Sequence, residues 1–203
     1  MYFSCTNTVS NLYTLSHLYT LSHLYARRFT HAIAPPPIAT VVDVDGKTYK
    51  VTNLQAKYVA SGSWIGSTPT LFYESLKIVL TFVKDRVTTT EEIDIPFASM
   101  RRLMFKGVSV PENLKAIFGE QEPIGIEMRD GSFMLLSTTL LVEIGAGGTE
   151  TKKVTMTSYS FMAGEIQGQA ITLLGFRGRV KTEDGKEGDF FISIEDTERI
   201  EFE

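Results

Sequence analysis

One segment of this sequence recurs in the middle of the chain and at its end, and its pattern is that of a strand, a corner and a second strand. Ile93-Asp-Ile-Pro-Phe-Ala-Ser-Met-Arg-Arg-Leu-Met-Phe105 aligns without a gap on Phe190-Phe-Ile-Ser-Ile-Glu-Asp-Thr-Glu-Arg-Ile-Glu-Phe202. Ile93 meets Phe190, Ile95 meets Ile192, Phe97 meets Ile194, Leu103 meets Ile200 and Phe105 meets Phe202. Arg102 falls on Arg199. Apolar residues spaced by two line one face of a strand. Each copy is preceded by a hairpin signal, Asp45-Gly46 within Val41–Val51 and Asp130-Gly131 within Ile126–Leu136. Asp-Gly supplies the positive φ angles that a tight hairpin turn needs. The expected fold is mainly β: two tandem repeats of a small antiparallel β unit, residues 41–106 and 124–203, joined by a linker over 107–123.

Inside the first repeat, Leu76, Ile78, Leu80 and Phe82 alternate onto one face, as in a half-buried strand. Thr88-Thr-Thr-Glu-Glu92 reads as the turn that follows. The second repeat offers strands near Val154 and from Ile171 to Val180, with a turn at Thr182–Gly185. It carries about twelve extra residues, around Ser158 to Gly168. The linker predicts one short helix at Pro111–Gly119, with Leu114, Ile117 and Phe118 at helical spacing, Pro at its start and Gly past its end. Pro96 restricts its strand to an edge or to the strand's last position. A final strand pair joined by a one-turn corner is what small SH3-like or Sm-like barrels show. Two such units could stand side by side, or pool their strands into one sandwich or barrel, which leaves fewer bare edges.

Residues 1–40 read as a leader, disordered or targeting. Leu12-Tyr-Thr-Leu-Ser-His17 is repeated as Leu18–His23, a six-residue period that fits neither one helical face nor a useful long repeat. The segment has no acidic residue, is rich in Ser and Thr and holds Arg27-Arg28, as organellar transit peptides do. Ala32-Ile-Ala34 has the small-x-small form of an export cleavage site, so export or organelle import is the expectation that competes with a cytoplasmic location. Pro35-Pro36-Pro37 makes an extended spacer.

Reactive side chains are confined to that leader. His17, His23, His31 and the single Cys5 all lie before Pro35. The body therefore has no thiolate nucleophile, no Ser-His-Asp triad and no nitrogen–sulfur zinc site. Without residues 1–42 the chain carries 18 basic against 24 acidic residues, a net charge of −6. That is a poor match for nucleic acid or anionic lipid. No run approaches the length of a membrane span.

Five places invite comparison with a site, and three of them could carry one. Ser61-Gly-Ser-Trp64-Ile-Gly-Ser holds the sole Trp, and Phe72 and Tyr73 follow it. Aromatics on a Gly/Ser loop suit contact with a ligand, a glycan or a partner, unless Trp64 folds back as a lid on the core. Glu183, Asp184, Glu187 and Asp189 gather near one turn and offer oxygen ligands for a weak metal site, or simply a solvated turn. Arg177, Arg179 and Lys181 alternate along a strand, with Phe176 beside them, in the form of a basic contact surface. Asp43-Val-Asp45-Gly46 and Gly145-Ala-Gly147-Gly148 read as hairpin turns, not as a calcium loop or a phosphate cradle.

Together these features predict a non-enzymatic, duplicated β module for binding or assembly, with no cofactor. Its partner would be a protein, a further copy of the chain, or a small ligand or glycan. Two alternatives compete: a carboxylate-dependent hydrolase of polysaccharide built on Glu91, Glu92 and Glu143, and a small β-barrel that binds nucleic acid.

Overall fold

A computed structural model describes residues 38–61, 68–148, 150–181 and 186–203. The repetitive leader up to Pro37, the loop with Trp64 and the turn at Thr182–Gly185 lie outside the described residues. Strands β1 (Ala39–Asp43) and β2 (Thr48–Ala60) form the first Asp-Gly hairpin. There the Asp43 carboxylate accepts the amides of Asp45 and Lys47 at 3.0 and 2.8 Å, and Gly46 takes a φ of +82°. β3 (Thr70–Tyr73) pairs with the second half of β2, and β4 (Ser75–Lys84) with β5 (Val87–Pro96). A single 3₁₀ turn, Phe97–Ser99, leads into β6 (Met100–Met104). After helix α1 (Glu112–Phe118) come the second Asp-Gly hairpin, β7 (Ile124–Met128) and β8 (Phe133–Leu136), then β9 (Leu140–Ile144) and β10 (Thr151–Thr155). The chain ends with β11 (Ser158–Ser160), β12 (Met162–Ile166), β13 (Gln169–Lys181), β14 (Glu187–Ser193) and β15 (Thr197–Phe202).

The fold is mainly β and antiparallel. Twelve strands share one sheet in the order β10-β9-β8-β7-β6-β15-β1-β2-β13-β12, with β3 attached to β2 and β14 to β13. A second sheet holds β11-β4-β5. Strands from both predicted repeats therefore pool, but the sheet does not close, which corrects the expectation of a barrel. Closure would require β10 and β12 to pair. Instead the edge is guarded: β10 presents the exposed Lys152 and Lys153, a common alternative to closure.

The long strands make the branching. One side of β2 is covered by β1 along its first part and by β3 along its second, and β13 is likewise shared by β14 and β12. Their mutual ladder carries two register shifts, near Gly175 and Gly178. A Cβ on Gly175 would lie 2.1 Å from the Ile192 carbonyl oxygen, and one on Gly178 would lie 2.3 Å from Val51 Cγ1. Only glycine permits so close a backbone approach.

The two matched endings pair with each other. Leu103 on β6 stands opposite Ile200 on β15. Each ending is flanked on its other side by the Asp-Gly hairpin of the other predicted repeat, Leu103 by Ile126 and Ile200 by Val41. This row, Ile126–Leu103–Ile200–Val41, is wholly buried. Both flanking ladders shift register at matching places, at Arg101 and at Glu198.

Aromatic rings continue the core. Phe97 packs on Phe202 and Phe176 with ring centroids 5.1 and 6.3 Å apart, and Phe105 joins Phe176 at 5.9 Å. Burial of each such side chain contributes about 1.5–3 kcal/mol. Helix α1 starts after Pro111 and ends at Gly119, whose φ is +59°. It docks Leu114 and Phe118 on Leu135 and Val142, whereas Ile117 points outward, 39% exposed. The buried stripe is thus narrower than the sequence spacing suggested. Thr88–Glu92 forms strand within β5, and the turn is Asp85-Arg86, both at positive φ. The polarity read as a turn there is the polarity of an exposed strand.

Candidate functional site

Two of the sequence-predicted sites, more than a hundred residues apart in the chain, meet on one exposed face. The register of β3, β2, β13 and β14 brings them together. Phe72 lies opposite Lys57, Gln55 opposite Arg177, and Arg177 opposite Phe191. The Arg177 guanidinium stacks on the Phe72 ring, Cζ 3.3 Å from the centroid, and its Nε and Nη2 donate to Gln55 Oε1 at 3.1 and 2.9 Å. Lys57 Nζ sits 5.0 Å from the centroid of Phe191, which is 49% exposed. These side chains wall a recess of about 510 Å³. Cations over ring faces are held by the ring quadrupole, worth about 0.5–1 kcal/mol where solvent reaches them.

The three cations predicted on β13 separate in role. Arg179 stands opposite Asp189 and pairs with it at 2.6 Å, with Glu187 at 3.8 Å. Lys181 stands opposite Glu187. Arg177 stands opposite an aromatic ring. Among the described residues, neither Arg177 nor Lys57 has a carboxylate within ion-pair distance. This places Glu187 and Asp189 of the predicted metal set on Arg179, while Glu183 and Asp184 lie outside the described residues. Among the described residues no three His, Cys, Asp or Glu side chains gather in a metal-binding arrangement.

Tyr73, next to Phe72, belongs to a different cluster. Its ring packs edge-on against Tyr58 at 5.8 Å, with Lys77 Nζ 4.6 Å from its centroid. Lys77 is paired with Asp94 at 2.5 Å, and its amide donates to the phenol oxygen of Tyr58 at 2.8 Å. Tyr58 is fully buried, and that burial pushes its phenol well above the usual range. The predicted contact Trp64 lies outside the described residues.

Of the carboxylates considered for hydrolysis, Glu91 on β5 lies within electrostatic reach of Glu143 on β9. Burial raises the Glu91 carboxyl, Lys152 pulls it down, and Glu143 adds to the rise. Lys152 Nζ lies 3.9 Å from Glu143. Glu92 is exposed on β5. Another recess, of about 590 Å³, has walls that are mainly apolar, among them Phe105, Ile124, Tyr159 and Phe161.

Sequence reasoning missed Lys57, Gln55 and Phe191. A signal for Phe191 was available: in the matched endings it stands where the first copy has Asp94. Comparison of the chain with protein-family models, with curated proteins and with solved structures gives no match. Among the described residues no helix is long and apolar enough to cross a membrane.

Proposed function

We propose that this protein is a non-catalytic binding module made of a duplicated β unit, and that Phe72, Lys57, Arg177 and Phe191 form its contact face. The observation that carries the reading is Arg177. Its neighbours Arg179 and Lys181 face acids across the ladder, whereas it faces an aromatic ring and is held in place by Phe72 and Gln55. A positioned cation flanked by aromatic rings and lacking a carboxylate suits an anionic group on a protein partner. The duplication draws support from register: both Asp-Gly hairpins meet the matched endings with the same offset and the same bulge. An SH3-like or Sm-like ancestry of the unit stays part of this proposal.

An NMR titration of the ¹⁵N-labelled protein with three probes tests the reading. The probes are the acidic peptide Ac-(Glu-Thr)4-NH2, cellohexaose and a dT oligonucleotide. The expected result is saturable shifts for the acidic peptide at Lys57, Arg177 and Phe191. Shifts for none of the probes at these residues would end the proposal.

A second reading, hydrolysis by Glu91 and Glu143, draws support from the raised Glu91 carboxyl, to which burial contributes first and Glu143 also adds. The ion pair of Glu143 with Lys152 argues against it, because one of the two carboxylates is already engaged by a cation. Turnover of cellohexaose that Glu91→Gln abolishes would establish it.

A further inference from the structure

Among the described residues, β5 presents an edge unlike the other open edges of the fold. β10 shows Lys152 and Lys153, β14 carries Glu187 and Asp189, and β12 loses its register between Met162 and Glu165, where Gly164 has a φ of +97°. β3 and β11 are only four and three residues long. β5 is ten residues long, pairs with β4 without a register shift, and meets no described strand on its other side. Its first part, Val87-Thr-Thr-Thr90, is exposed and holds neither charge nor proline. β-Branched residues of this kind favour strands. β11 covers β4 only over Val79–Thr81, and Thr157 Oγ1 accepts the Val83 amide just beyond it. The end of the β4–β5 hairpin is therefore a two-stranded ribbon among the described residues, with Val83 51% and Val87 60% exposed. Such a ribbon gains stability from further strands.

The turn decides which groups face outward. Asp85 and Arg86, both at positive φ, make a two-residue loop, so Lys84 and Val87 close the ladder as a hydrogen-bonded pair. From there the direction of hydrogen bonding alternates along the strand. Val87, Thr89 and Glu91 bond to β4, while Thr88, Thr90 and Glu92 turn their N–H and C=O groups to the open side. The amides of Val83 and Lys77, opposite Thr88 and Asp94, accordingly leave the ladder and donate to Thr157 and Tyr58.

We infer that this edge pairs with the same edge of a second copy of the chain, antiparallel, about a two-fold axis at Thr89. The site shares no residue with the contact face proposed above. In an antiparallel ladder, outward-facing residues pair only with outward-facing residues. A centre at Thr89 sets Thr88 opposite Thr90 twice and brings Arg86 to Glu92 of the second copy twice, as a self-complementary interface requires. Arg86 and Glu92 are exposed, and among the described residues neither has an ion pair in its own chain. A centre at Thr88 would set Asp85 against Glu91. One at Thr90 would send Arg86 to Asp94, which already holds Lys77. The two Glu92 carboxylates would stand six residues apart along the strands, roughly 20 Å, beyond the reach of their repulsion in salt.

Sedimentation velocity of the full chain reads the monomer–dimer equilibrium, in reducing buffer so that Cys5 forms no intermolecular disulfide. The expected result is a concentration-dependent dimer that Thr90→Pro, Arg86→Glu and Glu92→Arg each weaken about tenfold or more. Thr90→Pro removes an amide that points away from β4 and leaves the hairpin ladder whole. The double variant, Arg86→Glu with Glu92→Arg, restores opposite charges and should dimerise like the wild type. A chain that stays monomeric up to millimolar concentration overturns the inference. So does a dimer that Thr90→Pro leaves intact, or one in which the double variant is no better than the single variants. Circular dichroism unchanged from the wild type excludes unfolding as the cause, and recovery in the double variant excludes it independently.

Discussion

At the scale of single residues, the fold depends on a few positions with no substitute. Gly175 and Gly178 let β13 run against two neighbours at once. Gly175→Ala forces Ile192 and its strand to move, and should cost about 1–3 kcal/mol in a denaturant titration. Tyr58 is a second such position. Its phenol oxygen accepts the Lys77 amide inside the core, so Tyr58→Phe leaves a buried donor unpaired and should cost about 1–3 kcal/mol. Burial also raises the ionisation of Tyr58 above its unfolded value of 10.0. A raised value means that the neutral phenol is the form the fold favours. Its contribution is complete below pH 10 and is lost as pH rises beyond that point. Denaturation midpoints measured from pH 8 to 11 should therefore fall in the wild type and fall less in Tyr58→Phe.

At the scale of elements, both Asp-Gly hairpins and the matched strands were legible, because local turn chemistry and an alternation of period two specify them without reference to the rest of the chain. The Asp85-Arg86 turn was not, since neither residue is glycine, although φ is +52° and +66°. Arg86→Gly should relieve that strain and raise stability by about 0.5–1 kcal/mol, read as a shift in the midpoint of thermal unfolding. Helix α1 was legible from its Pro and Gly, but its docking face was not, because spacing alone cannot say which of Leu114, Ile117 and Phe118 meets β8 and β9. Leu114→Ala should cost about 2–5 kcal/mol and Ile117→Ala under about 1, by equilibrium unfolding. Where β5 approaches β9 and β10, Glu91 has a raised ionisation caused first by burial. The protonated form is the favoured one, so its contribution is present at low pH and lost as pH rises through that value. Glu91→Gln should be more stable than the wild type at pH 7, and the difference should vanish in acid, below the ordinary carboxylate value of 4.5.

At the scale of the whole molecule, the proposed contact face is assembled only because β2 and β13 lie side by side. Phe72 and Arg177 were each singled out from local sequence, but their meeting depends on a ladder whose register no local pattern records. What the alignment of the two endings does record is the exchange of Asp94 for Phe191. The central claim is that this exchange opens a cation that the other half of the molecule keeps neutralised. Phe191→Asp restores the acid and should close the face as Asp94 closes its own. The most direct measurement is the affinity of Ac-(Glu-Thr)4-NH2 for the wild type and for Phe191→Asp, with unfolding temperatures measured alongside. The account predicts a loss of binding of about tenfold or more at an unchanged unfolding temperature; equal affinity in the two proteins would contradict it.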